Sequence, residues 1–475
     1  MKKLIIIILC PLFAYGQTDS LARWLDVAAR NNPGVQAAHT SWQAALQRLP
    51  QAGAWQDPQF DAGFFLQPMM LSEGRQVAEF RLMQMFPWFG ARKAARTEAE
   101  NMAQMAFEQL REARDGLFLD VYTQWFTLCR LRRQEICTRR SVELLAQLEE
   151  LAMKRFSTGG AASSYTAAAP SPSGGGTVAM NGMAGMSSAS PVSPASPSGM
   201  PPALPQPSPA GAMPAMGAAG GGMSEVLRIR LEIIELESRV EDLLSETAAA
   251  KARFNALLNR AADAEVVVPD TLAQIAFRLD LDTASAQIAA RNPMIAMLGA
   301  EAASYKAKAQ MDKRMSYPMF GVGLQYMLMK KTAPDPMTVG SNPMNGKDML
   351  MPMASVSLPI FRGRYRAQQR ENALMQQSAR ERQADALNTL TAELHRLRHE
   401  LDGASRRIAL YRRQSELART TCNLALQEFI AGRGPLSDAI AVQRQLLNYE
   451  LETAVAVAAY NTMVANIQKL GSYEN

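Results

Sequence analysis

The chain has 475 residues, about three times the length of a typical single domain, and is 48% hydrophobic but only 7% aromatic. An aromatic-poor composition rich in Ala and Leu argues for helices and against a large β-sandwich. Lys and Arg (50) barely outnumber Asp and Glu (44), and they are dispersed rather than gathered into a stripe, which excludes a dedicated nucleic-acid surface.

At the N-terminus, Lys2 and Lys3 precede an apolar run from Leu4 to Phe13, and the small residues Ala14 and Gly16 then mark a cleavage point. This is the pattern of an export signal over 1–16. Cys10 follows Leu9 rather than a small residue, which argues against a lipidated cysteine. Losing Lys2 and Lys3 lowers the formal charge from +6 to +4, so the exported chain is only mildly basic. Beyond the signal no stretch approaches the ~18 consecutive apolar residues of a membrane helix, and any crossing must use strands.

The same order of signals then occurs twice. Ala28-Ala29-Arg30-Asn31-Asn32-Pro33 returns as Ala289-Ala290-Arg291-Asn292-Pro293, an offset of 260 that also carries Asp57-Pro58-Gln59-Phe60 onto Tyr317-Pro318-Met319-Phe320. Phe86-Pro87-Trp88-Phe89-Gly90 matches Leu358-Pro359-Ile360-Phe361-Arg362-Gly363 with Pro87 on Pro359, an offset of 272. Phe156-Ser157-Thr158-Gly159 matches Phe429-Ile430-Ala431-Gly432 at 273, but Glu225-Val226-Leu227 matches Asp438-Ala439-Ile440 at only 213, so the first copy carries 60 extra residues. The organisation expected is a first repeat over 17–159, an insertion over 160–223, the first repeat's return helix over 224–270 and a second repeat over 271–475.

Each repeat reads as short helix, helix, two strands, a very long helix and a return helix. No proline interrupts 92–155 or 364–428, each ~95 Å of helix, a length that survives only by coiled-coil packing. Return helices are expected over 224–258 and 437–470. Strands are expected near 58–71, 75–87, 318–330 and 349–360, each alternating with period two. Phe60, Ala62, Phe64 and Leu66 share one face, as do Ala78, Phe80 and Leu82, then Phe320, Val322, Leu324, Tyr326 and Leu328, then Leu350, Ala354, Val356 and Leu358. Length and alternation are those of an outer-membrane barrel, but four strands cannot close one, so the chain must pool strands with identical copies.

The insertion contains no Asp, Glu, Lys or Arg and cannot bury a core. It holds seven methionines, including Met180, Met183, Met186, Met213 and Met216. Opposite the apolar strand face fall Met83, Met85, Met319, Met327, Met329, Met349, Met351 and Met353. Thioether sulfur is a soft ligand for Cu(I) and, by the same logic, Ag(I), so these methionines are candidate transient metal sites; the other reading is that Met is an adaptable apolar filler. Cys129, Cys137 and Cys422 lack the spacing of a disulfide framework and read as small buried hydrophobes. His395 and His399 have helical metal spacing without a zinc protease's glutamate, and read as a solvated face. No Ser-His-Asp order, G-x-S-x-G elbow or phosphate-binding glycine loop occurs, so neither an enzyme nor a bound cofactor is expected.

The duplicated order and lengths resemble the TolC family of outer-membrane efflux proteins, over essentially the whole chain except the signal and insertion. The resemblance implies a mostly α fold with a small transmembrane β part. In it a homotrimer builds an α-barrel tunnel and a shared 12-stranded β-barrel in outer-membrane lipid, four strands from each chain. It implies a passive channel-tunnel exporting substrates delivered by a periplasmic adaptor and an inner-membrane pump of the RND type. By resemblance Asn32-Pro33 and Asn292-Pro293 open the helices that climb to the barrel, and the turns Phe156–Gly159 and Phe429–Gly432 form the adaptor-facing tips, with Gly159 and Gly432 closing them. Asp438 and Glu225 take the acidic positions that narrow the tunnel; helix capping or complementation of the helix dipole in the first turn explains them equally well. The substrate stays open between Cu(I) or Ag(I), drugs and a secreted polypeptide, and a rival reading is an exported coiled-coil protein with no pore.

Overall fold

A computed structural model describes residues 18–67, 70–71, 74–159, 221–331, 345–431 and 433–472. The expected signal and Met180, Met183, Met186, Met213 and Met216 of the insertion lie outside them. In chain order the elements are α1 (Thr18–Asn31), α2 (Pro33–Leu46), α3 (Arg48–Gly53), β1 (Gln59–Phe64), β2 (Met70–Leu71), β3 (Gly74–Phe86), α4 (Ala91–Gly159) and α5 (Gly221–Leu257). They continue with α6 (Leu281–Arg291), α7 (Pro293–Met315), β4 (Met319–Lys330), β5 (Met349–Ser357), α8 (Arg362–Ile430) and α9 (Leu436–Leu470). The chain forms two units, residues 1–141 with 236–475 and residues 142–235, and each is taken by itself.

In the larger unit α8 runs for 69 residues, far longer than its own hydrogen bonds could hold straight in water. Its buried residues Leu394, Leu397, Leu401, Ala404 and Ile408 advance in steps of three and four, the seam of a coiled coil. They meet Val457, Tyr460, Val464 and Ile467 of α9 and Ile288 of α6 in one apolar cluster. Cys422 occupies the same seam beside Ala418 and Leu446. A second cluster joins Val121, Trp125 and Leu128 of α4 to Phe254 of α5 and Leu258 just after it, with Trp24 of α1 edge-on to Phe254 at 5.8 Å between ring centroids. In the smaller unit, Leu145, Leu148 and Ala152 of α4 and Val226, Ile229 and Ile233 of α5 are buried at the same three-four spacing.

The two Asn-Pro motifs do the same work twice. Asn32 accepts hydrogen bonds on Oδ1 from the Gly34 and Val35 amides and so caps α2, while its Nδ2 donates to the Leu257 carbonyl at 2.9 Å. Asn292 caps α7 through the Met294 and Ile295 amides, and its Nδ2 donates to the Leu470 carbonyl at 2.9 Å. In each repeat, then, one side chain satisfies orphan amides at a helix start and an orphan carbonyl at the end of the return helix. Pro33 and Pro293 follow at the first helical position, where a missing N–H costs nothing. Between the repeats, buried Asn461 of α9 holds the connector by donating to the Ala273 carbonyl and accepting from the Ile275 amide.

The strands form one antiparallel sheet in the order β1-β3-β4-β5, with the two-residue β2 also paired to β3. The single strand expected near 58–71 is therefore corrected to a six-residue β1 and a separate β2, and Leu66, assigned to the shared face, lies outside both. Its continuation carries Pro68, which has no N–H to offer a ladder. The expected turn at Phe156–Gly159 is also corrected, because α4 remains helical through Gly159. The second repeat must reverse within the few residues between Ile430 and Leu436, whereas the first has the whole insertion in which to do so, so nothing forces α4 to stop early.

Two expectations follow. Asn292→Ala should lower unfolding stability by about 1–2 kcal/mol while Asn292→Ser retains most of it, read from denaturant midpoints in detergent. Burial pushes the Cys129 thiol up to about 12 and the Cys137 thiol up to about 11. Maleimide should therefore label them only after unfolding, and labelling of the native protein within minutes would contradict this packing.

Candidate functional site: the two faces of the strand sheet

Cross-strand register sorts the side chains into two sets. On one face Phe60 pairs with Leu82 and Ala62 with Phe80; Phe80 in turn faces Tyr326, Leu82 faces Leu324, and Phe86 faces Phe320. The same face continues through Val322 opposite Ala354 and Tyr326 opposite Leu350. These residues are apolar yet outward: Val322 is 62% exposed, Leu350 60% and Phe60 65%. An apolar face this size without cover in the protomer marks a surface made for lipid or for a partner.

The opposite face is the better covered one and is arranged in rows. Met85, Gly321 and Ser355 form one row, and Met83, Gly323 and Met353 the next. Then come Arg81, Gln325 and Met351, followed by Glu79, Met327 and Met349. Met319 pairs with Ser357 at the helical end, and Met329 pairs with Gln76 at the other, where a bulge at Val77 restores the phase of β3. All eight methionines of β3, β4 and β5 thus share one face.

Glycine makes room for the thioethers. A Cβ on Gly321 would collide with the Ser355 hydroxyl and the Met85 sulfur, and one on Gly323 would lie 2.9 Å from the Leu82 carbonyl oxygen. Over this floor the Ser355 hydroxyl donates to the sulfurs of Met83 at 3.7 Å and Met85 at 3.6 Å. Four polar side chains then divide the methionines. Gln325 Nε2 donates to Glu79 Oε1 at 2.6 Å, Arg81 donates to the same oxygen at 3.0 Å, and Gln76 donates to Glu79 Oε2 at 3.5 Å. Buried Gln325 was not a candidate from the sequence, where a lone amide between apolar positions carries no sign of the charge on the strand it pairs with.

The expected tip residues fall as follows. Phe429 is buried in the last turn of α8, and the chain reverses there through hydrogen bonds from the Arg433 and Gly434 amides to the Glu428 carbonyl. Gly432 lies outside the described residues. Asp438 is exposed in the first turn of α9 and accepts a hydrogen bond from the Ser437 hydroxyl at 3.3 Å. It caps nothing: the N-cap position is Pro435, with no side-chain cap, so the capping explanation is corrected and the dipole explanation stands. In the other unit, Phe156 and Gly159 belong to the last turn of α4, and half-buried Glu225 lies in the second turn of α5 rather than the first. Met180, Met183, Met186, Met213 and Met216 fall outside the described residues. His395 and His399 are both exposed on α8. Among the described residues no three His, Cys, Asp or Glu side chains gather as a metal site, and no helix is long and apolar enough to cross a membrane.

No protein-family model and no curated protein matches this sequence. Solved structures do match in fold. The outer membrane protein VceC of Vibrio cholerae aligns over 96% of this chain and 96% of its own at TM-score 0.66 and 15% identity. CusC, a protein that forms a transmembrane channel, aligns over 96% and 92% at 0.67 and 13%. The MtrE outer membrane channel of Neisseria gonorrhoeae, in its open state, aligns over 95% and 89% at 0.63 and 12%. This chain has their fold, the mostly helical architecture with a small strand part that the resemblance to the TolC family implies.

Gly323 offers a direct check on the packing of the methionine face. Gly323→Ala should destabilise the sheet by about 1–3 kcal/mol, because its new methyl meets backbone, while Gly321→Ala should cost less because the Ser355 and Met85 side chains can turn away. Heat-modified mobility in SDS gels reads both, and equal costs would contradict this packing.

Proposed function

We propose that this chain is one protomer of a homotrimeric outer-membrane channel-tunnel, through which substrates leave the periplasm passively. The observation that carries the reading is the inverted sheet. Its apolar side chains point outward, its Met, Gln, Glu and Arg side chains point the other way, and β1 and β5 remain open at its edges. In lipid an open edge leaves unpaired amides and carbonyls at several kcal/mol each, so three copies closing a twelve-stranded barrel satisfy what one cannot. The likeness in fold to known outer-membrane channels supports the same reading.

The chain carries no motif for using ATP, so the driving force comes from an inner-membrane pump of the RND type, reached through a periplasmic adaptor. The short reversal between α8 and α9 suits the adaptor contact, with Phe429 anchoring it. Asp438, exposed at the start of α9, suits the constriction: three carboxylates around one axis would repel each other and draw cations. In the first repeat Phe156 and Gly159 would meet the adaptor from the last turn of α4 rather than from a turn, and Glu225 would serve the constriction from the second turn of α5. For the substrate, the eight methionines facing the pore favour soft monovalent metal ions, Cu(I) or Ag(I), handed between weak thioether sites that need no deprotonation.

Purified full-length protein should open ion-conducting channels in planar bilayers, and silence at protein levels where porins conduct would count against the channel. Replacing Met83, Met85 and Met353 by Leu should lower cellular tolerance of silver several-fold and leave drug tolerance unchanged. An unchanged silver tolerance would reduce these methionines to packing.

A further inference from the structure

At the helical end of the sheet a cavity of about 550 Å³ opens between the end of α7, the β4 and β5 strand ends and the first turn of α8. Lys313, Arg362 and Arg366 line it, together with Tyr317, Leu358 and Ile360, and no carboxylate does. The charge arrangement is unusual for a helix start. The first turn of α8 has no acidic residue and no side-chain cap, and it carries Arg362 and Arg364. Cations placed at the positive end of a helix dipole are unfavourable, and the arrangement becomes favourable when an anion sits among them.

The first repeat fills the corresponding place, partly against a side chain of the second repeat. There Trp88 stacks on Tyr317 at 5.3 Å between centroids, and the Arg92 guanidinium lies 3.6 Å over Trp55 while donating to the Gly53 carbonyl at 2.9 Å through Nε. At the repeat offset of 272, Trp88 becomes Ile360 and Arg92 becomes Arg364. The second junction therefore lacks the tryptophan that fills the first, and the cavity remains. Its apolar wall is continuous with the outward face of the sheet: Leu358 prolongs the row of Ala354 and Val356, and Ile360 and Phe361 are 78% and 87% exposed.

We propose that this cavity binds the headgroup of an anionic phospholipid, with the phosphate held by Lys313, Arg362, Arg366 and the first-turn amides of α8 that follow Arg362, and the acyl chains lying along Leu358 and Ile360. This rests on the reading of the sheet as a membrane barrel. A free phosphate would satisfy the cations but leave the apolar wall bare, and the wall favours a lipid. Clustered basic side chains at a membrane boundary are the expected recognition chemistry for acidic headgroups.

Native mass spectrometry of the full-length trimer with dioctanoyl phosphatidylglycerol, dioctanoyl phosphatidylcholine or inorganic phosphate tests it. Phosphatidylglycerol should remain bound at up to one per protomer and at least about tenfold more tightly than phosphatidylcholine, and the variant K313Q/R362Q/R366Q should lose at least about tenfold of that affinity. Equal binding of the two lipids, an unaffected variant, phosphate bound as tightly as phosphatidylglycerol, or no lipid on the assembled trimer because a neighbouring copy covers the cavity would each overturn it. If the triple variant does not assemble, Arg366→Gln alone should still lower the preference at least about twofold, and an unchanged preference would overturn the proposal. Bilayer conductance of the wild type separates the two readings: conductance without lipid preference sinks only the lipid site, whereas no conductance sinks the channel.

Discussion

An antiparallel sheet that turns its apolar side chains outward cannot be a finished structure on its own. In water the exposed row from Phe60 through Tyr326 to Leu350 would seek cover, and in lipid the open sides of β1 and β5 would leave backbone groups without partners. Both demands are met by the same arrangement, identical copies joined edge to edge with the apolar face toward hydrocarbon. The polar and thioether face then lines whatever the closed sheet encloses, and the long helices follow as the continuation of each strand pair.

Duplication explains how one chain supplies two such strand pairs with matched geometry. Asn32 and Asn292 each bind a helix start to the end of the return helix of the same repeat. A single side chain therefore sets the junction where the sheet-bound helix and the return helix meet, twice over. Where the copies diverge, the divergence is local. The first junction below the sheet is sealed by Trp88 and Arg92, and the second is left open with Lys313 and two arginines around it.

The fold was legible because its patterns are long. Period two over ten residues fixes which methionines share a face, and an uninterrupted Ala, Leu, Glu and Arg run reads as helix without knowledge of its partner. What escaped has a common physical origin in pairings distant along the chain. The donation from Asn32 to the Leu257 carbonyl spans 225 residues, and the bond from Gln325 to Glu79 spans 246. The bulge at Val77 belongs to the pairing with β4 rather than to β3 itself. The cavity beside Arg362 exists only because four elements meet there, each of which reads as ordinary alone. The methionine face shows the reverse case, since its residues could be placed from alternation, while the glycine floor that admits the sulfurs needed coordinates.

Closure of the sheet between copies is the claim on which the rest depends. The direct measurement is disulfide cross-linking of single cysteine pairs scanned along β1, from Gln59 to Phe64, and along β5, from Met349 to Ser357, in outer-membrane fractions. The account predicts covalent dimers and trimers for pairs in one register, and none when the pairs are shifted by one residue to the opposite face. A ladder absent at every register, with a single protomer's mass in detergent, would contradict it.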